Sequence, residues 1–261
     1  MNTDGDFQSI EFGFDDGVAW LTFNRPDKLN SFTASMHAEV RDVLARVQQS
    51  QDVRCLVITG NGRGFSAGQD LADLDMAALG EVVQRDYNPL LRTITTLNIP
   101  VIACVNGVAA GAAANLALAC DIVLAARSAK FIQPFSQLGL VPDGGGTWTL
   151  PRLVGLARAT ALCMTGEPVS AEKAESWGMI WRCVDDEQLR TETTALAHRL
   201  ANQPTVGLGY TKMLLRFSQT RTLDDQLNLE CDFQQAASKT DDFAEGVDAF
   251  LNKRKPVFKG R

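Results

Sequence analysis

Two short runs, residues 100–105 and 121–126, are apolar at nearly every position and flank a helix-like segment at 111–119. A strand with one wet face alternates apolar and polar residues, because successive side chains point to opposite sides. Continuous hydrophobicity over so few residues instead indicates strands covered on both faces, as in parallel sheets sandwiched by helices. Residues 18–23 and 53–59, rich in β-branched and aromatic side chains, read as further strands. Between them, 33–49 reads as a helix with Met36, Val40, Leu44 and Val47 on one face and Thr33 as its N-cap. A further helix-like stretch covers 77–91. Strands alternating with helices predict an α/β fold.

After residue 203 the texture changes. Segments 206–218, 222–238 and 241–253 are all helix-like, with Thr222 and Thr240 as caps. The expected division is a core over 1–202 and a helical module over 203–261, packed on the core or on another subunit.

Composition narrows the function classes. The chain has 261 residues, 45% hydrophobic and 21% charged, with a net charge of −6. That balance suits a globular protein and argues against a nucleic-acid binder, which needs a basic face. The start, Met1 to Asp6, is polar and carries no apolar signal core, and the longest apolar run, 107–119, is too short and too rich in glycine and alanine to span a bilayer. No membrane association and a cytoplasmic location are therefore expected. The six cysteines are scattered, mostly in apolar runs, and His37 and His198 lie far apart, so no metal site is expected.

Three segments carry candidate chemistry. The first, Gly60-Asn-Gly-Arg-Gly-Phe-Ser-Ala-Gly-Gln-Asp70, fits several readings. Gly62-x-Gly64-x-x-Ala67 matches a dinucleotide fingerprint, but no strand with an acidic end follows. Gly64-Phe-Ser66-Ala-Gly68 matches a nucleophile elbow, but a glycine-rich loop separates the strand from Ser66 and no histidine is marked as a base. A backbone anion-stabilising loop and a plain surface turn remain. Asp70, Asp73 and Asp75 read as solvated loop or helix-start charges.

The second, Asn106-Gly-Val-Ala-Ala-Gly-Ala-Ala-Ala-Asn115, reads as a closely packed helix or as a helix N-terminus offering free N–H groups to a ligand. The third, Leu138-Gly-Leu-Val-Pro-Asp143-Gly-Gly-Gly-Thr-Trp148, presents one carboxylate among glycines and apolar side chains. Asp143 reads either as a helix N-cap or as a catalytic acid/base.

Taken together, the segments resemble the enoyl-CoA hydratase/isomerase (crotonase) family along essentially the whole chain. Asn24-Arg-Pro-Asp-Lys-Leu-Asn30 resembles the family's opening turn, Phe65-Ser-Ala-Gly-Gln-Asp70 its first oxyanion loop, and Asn106-Gly-Val-Ala-Ala-Gly-Ala112 its second. Glu245-Gly-x-x-Ala-Phe250 followed by Lys253-Arg-Lys255 resembles its closing helix.

The resemblance implies a crotonase spiral of repeated ββα units, a C-terminal helical trimerisation module, and a homotrimer or dimer of trimers. It implies an acyl-CoA thioester as substrate, with coenzyme A part of that substrate and no separate cofactor. It makes the main-chain N–H groups of Gln69 and Ala112 the oxyanion donors. Lys28, Leu29 and Asn30, the stretch Ser66, Ala67, Gly68 and Asp70, and Gly111 are then expected to contact substrate, and Phe250 and Lys253 to reach a neighbouring subunit's nucleotide.

Two departures bear on the reaction. Hydratases of this family use two glutamates, and Asn115 and Phe135 stand at the matching positions. Neither can act as a carboxylate base, so water addition is disfavoured. Asp143 takes the position where some isomerases of the family carry an aspartate, in a pocket expected to include Phe135 and Trp148. The run 141–152, together with Tyr87-Asn-Pro-Leu90 and Trp177-Gly-Met-Ile-Trp181, resembles isomerases that act on a ring-epoxidised phenylacetyl thioester. A Δ3,Δ2-enoyl-CoA isomerase is the alternative.

Overall fold

The computed structural model describes residues 7–73 and 76–261; Met1 to Asp6, Leu74 and Asp75 lie outside them. Ten strands occur among the described residues: β1 (Ile10–Asp15), β2 (Val18–Phe23), β3 (Cys55–Gly60), β4 (Gly64–Ser66), β5 (Val101–Val105), β6 (Val108–Ala110), β7 (Ile122–Ala126), β8 (Lys130–Ile132), β9 (Val169–Ser170) and β10 (Arg182–Val184). They build a larger sheet in the order β1-β2-β3-β5-β7-β10 and a smaller one in the order β4-β6-β8-β9. Only β1–β2 and β8–β9 pair antiparallel.

The pairs β3/β4, β5/β6 and β7/β8 follow one rule. The first strand of each enters the larger sheet, and the second crosses a short turn into the smaller one. Helix then leads to the next pair, which makes a spiral of ββα units. The two continuously apolar runs lie in the core: every residue of β5 and all of β7 but the half-buried Ile122 are buried, as is every residue of β3 and of the helix Ala112–Ala119. Cys55, Cys104 and Cys120 belong to that interior, whereas Cys231 is exposed.

The helix Ala34–Gln49 buries the predicted face and adds His37 and Val43 to it. Its cap is Thr33, whose hydroxyl accepts the Met36 N–H, while Asp73 accepts the Ala34 N–H at 2.8 Å. Asp73 is thus a helix-start charge.

The uninterrupted helix expected over 77–91 is broken. A 3-10 turn (Met76–Ala78) and a short helix (Leu79–Val82) pass into a π-turn (Val83–Tyr87) before the helix Asn88–Thr96. Pro89 lacks an N–H, so the ordinary hydrogen-bond ladder cannot run through it. The Asn88 N–H reaches back to the Val83 carbonyl, one residue further than in an α-helix. The widened turn brings the consecutive residues Asp86 and Tyr87 inward together, and both are buried.

The C-terminal segment holds the helices Thr205–Phe217, Leu223–Ala237 and Asp241–Leu251, the last two capped by Thr222 and Thr240 as expected. The first is pinned to the spiral by the buried Lys212, which pairs with Asp121 at 2.8 Å and donates to the Ile94 carbonyl at 2.9 Å. The chain end is tied by Arg54, which donates to Thr205 Oγ1, Gln203 O and Phe258 O. Among the described residues, no helix is long and apolar enough to cross a membrane.

Candidate active site

The first loop is shaped by a parallel bridge between Phe32 and Gln69. Phe32 N–H donates to Gly68 O at 2.7 Å and Asp70 N–H donates to Phe32 O at 2.9 Å. In such a bridge the middle residue turns its own N–H and C=O to the other side. The Gln69 amide therefore faces away from Phe32. The expected substrate-contact residues pack behind this loop: Ala67 N–H donates to Leu29 O at 2.9 Å, and the buried Asn30 side chain donates to Asn61 O and Gly64 O. Lys28 beside them is exposed.

The second loop meets the first at Gly68. This glycine has φ +88°, and a Cβ there would lie 2.8 Å from Ala110 O and 3.8 Å from Ala112 N, so only glycine allows the approach. Gly111, at φ 57° and ψ −133°, then starts the buried helix Ala112–Ala119. The Ala112 N–H belongs to the helix's first turn, where no carbonyl of the helix itself can accept it. Gly68, the residue before Gln69, is thus set against Ala112 from a distant part of the sequence, and the Phe135 ring covers Gly111, 3.7 Å from the site of a Cβ there.

Asp143 sits in a turn before the helix Gly146–Val154. The capping role open to it is not taken: the cap position falls to Gly145, and only the Asp143 main-chain carbonyl binds the helix start, accepting the Gly146 N–H at 2.9 Å. Its Oδ1 is buried without a hydrogen-bond partner among the described residues. Burial pushes the carboxyl up to about 6, against a weaker opposing effect of its own backbone N–H. A carboxyl tuned this way is suited to take and return a proton near neutral pH.

Several expected residues serve other ends. Ser66 is buried, with its hydroxyl donating to Asn30 O at 2.7 Å and accepting the Gly68 N–H at 3.2 Å, while His198 lies against Asp16. A nucleophile elbow is absent; Ser66 is a loop fastener. Asp70 is not a solvated charge. Desolvation opposes its ionisation, but Arg25 at 3.0 Å, the Ala72 N–H and the Ser31 hydroxyl hold its carboxyl below the usual range. Trp148 is 43% exposed and stacks under Arg152. Phe250, 82% exposed, lies near the end of the helix Asp241–Leu251, and Lys253 follows just beyond it.

Sequence reasoning missed the layer behind Gln69. The Gln69 side chain accepts from the Tyr87 hydroxyl at 2.9 Å, and Tyr87 packs edge-on to His37, whose ring lies 4.8 Å from Phe32. Burial lowers His37 to about 4, with Asp86 opposing. Burial is also the main force resisting ionisation of Asp86, yet Arg85 and Arg41 keep its carboxylate charged. Burial, followed by the nearby negative charges of Asp143 and Asp86, raises the Tyr87 phenol. The signal available in the sequence was Pro89, which breaks the helix and turns Tyr87 inward.

The model of the family described as enoyl-CoA hydratase/isomerase matches residues 13–261. The chain belongs to that family. Within it, the chain is 53% identical over 251 residues to the 1,2-epoxyphenylacetyl-CoA isomerase of Escherichia coli (strain K12), covering 94% of this chain and 96% of that one. It is 35% identical to the trans-2-decenoyl-[acyl-carrier-protein] isomerase of Streptococcus mutans, covering 98% of this chain and 100% of the other. An enoyl-CoA hydratase from Bacillus anthracis superposes with a TM-score of 0.93 at 29% identity, covering 97% of this chain and 100% of the other. The spiral is the crotonase fold, and this member of the enoyl-CoA hydratase/isomerase family is an enzyme acting by crotonase-type thioester chemistry.

Proposed function

We propose that the chain is an acyl-CoA isomerase that converts ring-1,2-epoxyphenylacetyl-CoA to the oxepin thioester in aerobic phenylacetate breakdown. The observation that carries this reading is Asp143: one raised, partnerless carboxyl oxygen, with Asn115 and Phe135 standing where a hydratase would hold two acids. The 53% relative named for this reaction supports the substrate.

In this reading the thioester oxygen lies between the Gln69 and Ala112 N–H groups, which stabilise the enolate as charge develops. Loss of one such donor costs roughly 10²–10³ in rate. The carbon–carbon bond shared by the epoxide and the six-membered ring breaks as the ring double bonds shift, with both carbon–oxygen bonds kept, which gives the seven-membered oxepin. Asp143 removes the α-proton, and a double bond moves from the ring to the exocyclic position beside the thioester. The same carboxyl returns the proton to a ring carbon, so the product is an isomer with no atom gained or lost. Lys28, Leu29, Asn30 and the 66–70 loop hold coenzyme A, and Phe250 and Lys253 reach a neighbouring subunit's nucleotide in a homotrimer or dimer of trimers. No cofactor enters the reaction.

The test is turnover of the epoxide thioester, followed by product mass and absorbance, beside a 3-enoyl-CoA. Faster conversion of the epoxide is the expected result. Preference for the 3-enoyl thioester establishes the second reading, Δ3,Δ2-enoyl-CoA isomerase, which the decenoyl isomerase relative favours. Near-normal turnover by Asp143→Asn removes Asp143 from the mechanism.

A further inference from the structure

Asn115 occupies a position at which a polar side chain is fully buried one turn along the helix Ala112–Ala119. Its Nδ2 donates to the Asp143 carbonyl at 2.7 Å, and its Oδ1 accepts from Gln133 Nε2 at 2.8 Å. The direction of this chain is settled by chemistry. A main-chain carbonyl only accepts, so the Asn115 NH2 must face Asp143. Its oxygen then faces Gln133, which must turn its own NH2 inward. Gln133 is buried as well, so neither amide has water to fall back on.

The glycines of the Asp143 turn are fitted to this amide. A Cβ on Gly146 would lie 2.4 Å from Asn115 Nδ2, and one on Gly144 would lie 3.4 Å from both Asn115 Cβ and Ala112 O. The turn therefore lies flush on the first turn of the helix that begins with Ala112. Among the described residues, Asn115 is the one side chain that donates to the Asp143 main chain, and it does so from the helix that begins with Ala112.

We infer that Asn115, oriented by Gln133, is a positioning residue that sets the distance between the proton-carrying carboxyl of Asp143 and the enolate-stabilising amide of Ala112. The inference rests on the reading of Asp143 and Ala112 given under Proposed function. It assigns Asn115 a task in which a carboxylate would fail. An ionised Asp or Glu at 115 presents oxygen to the Asp143 carbonyl and pushes the turn away, so the side chain that withholds a second acid also holds the first one in place.

The test is exchange of the α-proton of phenylacetyl-CoA into deuterium oxide, which reads enolate formation without any ring opening. Displacement of a catalytic group by about an ångström costs roughly 10² in rate. Asn115→Ala is expected to slow exchange by about that factor with unchanged thioester affinity. Gly146→Ala, which forces the Asn115 amide off the carbonyl, should do the same and serves if Asn115→Ala does not fold. Adding either change to Asp143→Asn should cause no further loss, because a residue acting through Asp143 has nothing left to position. Wild-type exchange in a folded Asn115→Ala or Gly146→Ala variant, or a loss that adds in full to that of Asp143→Asn, overturns the inference while leaving Asp143 in place. Undiminished exchange in Asp143→Asn alone overturns the assignment of Asp143, and this inference with it.

Discussion

The Tyr87 hydroxyl donates a 2.9 Å hydrogen bond to Oε1 of Gln69, joining a π-turn to the loop that carries one of the two candidate oxyanion amides. Both groups sit against the core, with Tyr87 buried among Phe32 and His37. The bond holds the Gln69 side chain on one side of its backbone, and the Phe32 bridge holds the backbone itself.

Tyr87→Phe keeps the ring and deletes only that donor. The variant should lose about 1 kcal/mol of stability, the ordinary cost of such a bond. Turnover should fall with little change in KM, because a loosened Gln69 amide weakens transition-state contacts more than ground-state binding. Steady-state kinetics with a thioester substrate checks this; a rise in KM at constant kcat would place Tyr87 in substrate binding instead.

Asp143 makes a paired prediction about pH. As a general base it must be ionised, so activity should climb as pH rises through about 6. For stability the sign is opposite. Its folded pKa is raised above the value near 3.8 of an exposed aspartate, so its favourable contribution is complete below that value and disappears as pH rises toward 6. Above that window, burying the charge costs on the order of 2–3 kcal/mol. Asp143→Asn should therefore be inactive yet melt higher than the wild type at pH 7 and not at pH 4, as measured by thermal denaturation at both pH values.

Lys212 anchors the Thr205–Phe217 helix through Asp121 and the carbonyls of Ile94 and Ile99. Lys212→Met preserves the aliphatic stem and strips the ammonium, leaving two buried carbonyls without that donor. Arg216 keeps Asp121 paired at 3.0 Å, which limits the damage. The expected cost is about 2–3 kcal/mol in a denaturant titration, below that of an orphaned buried charge. A midpoint shift near zero would show that the helix is held elsewhere.

Legibility in the sequence followed the range of the interactions. Strands β5 and β7 were readable because burial on both faces removes alternation, and Thr33, Thr222 and Thr240 were readable because capping is local. Strands β4, β6 and β8 have three residues each, too few for any period to appear. At the site, Gln69, Ala112 and Asp143 stood out through their motifs. The contacts that orient them, Tyr87 to Gln69 and Gln133 to Asn115 to Asp143, link residues 18 and 28 positions apart and have no local signature. Asp70 looked solvated because its partner, Arg25, is 45 residues away.

The closing helix carries a stripe of exposed apolar side chains, Phe243, Val247, Phe250 and Leu251, at the spacing of one helical face. Leu223 and Leu227 add a second pair one turn apart on the preceding helix. Exposed apolar surface of this kind is uncommon on a monomer, and we propose it as the face through which subunits of the proposed trimer meet. Phe243→Asp combined with Val247→Asp leaves the Thr240 cap and the Arg254 ion pairs with Glu245 and Asp248 untouched, so the helix itself should persist by circular dichroism. Burying a charge in an apolar contact is costly. Sedimentation velocity should then show the wild type as a trimer or hexamer and the double variant as a smaller species. An unchanged sedimentation coefficient would mean that subunits meet through another face.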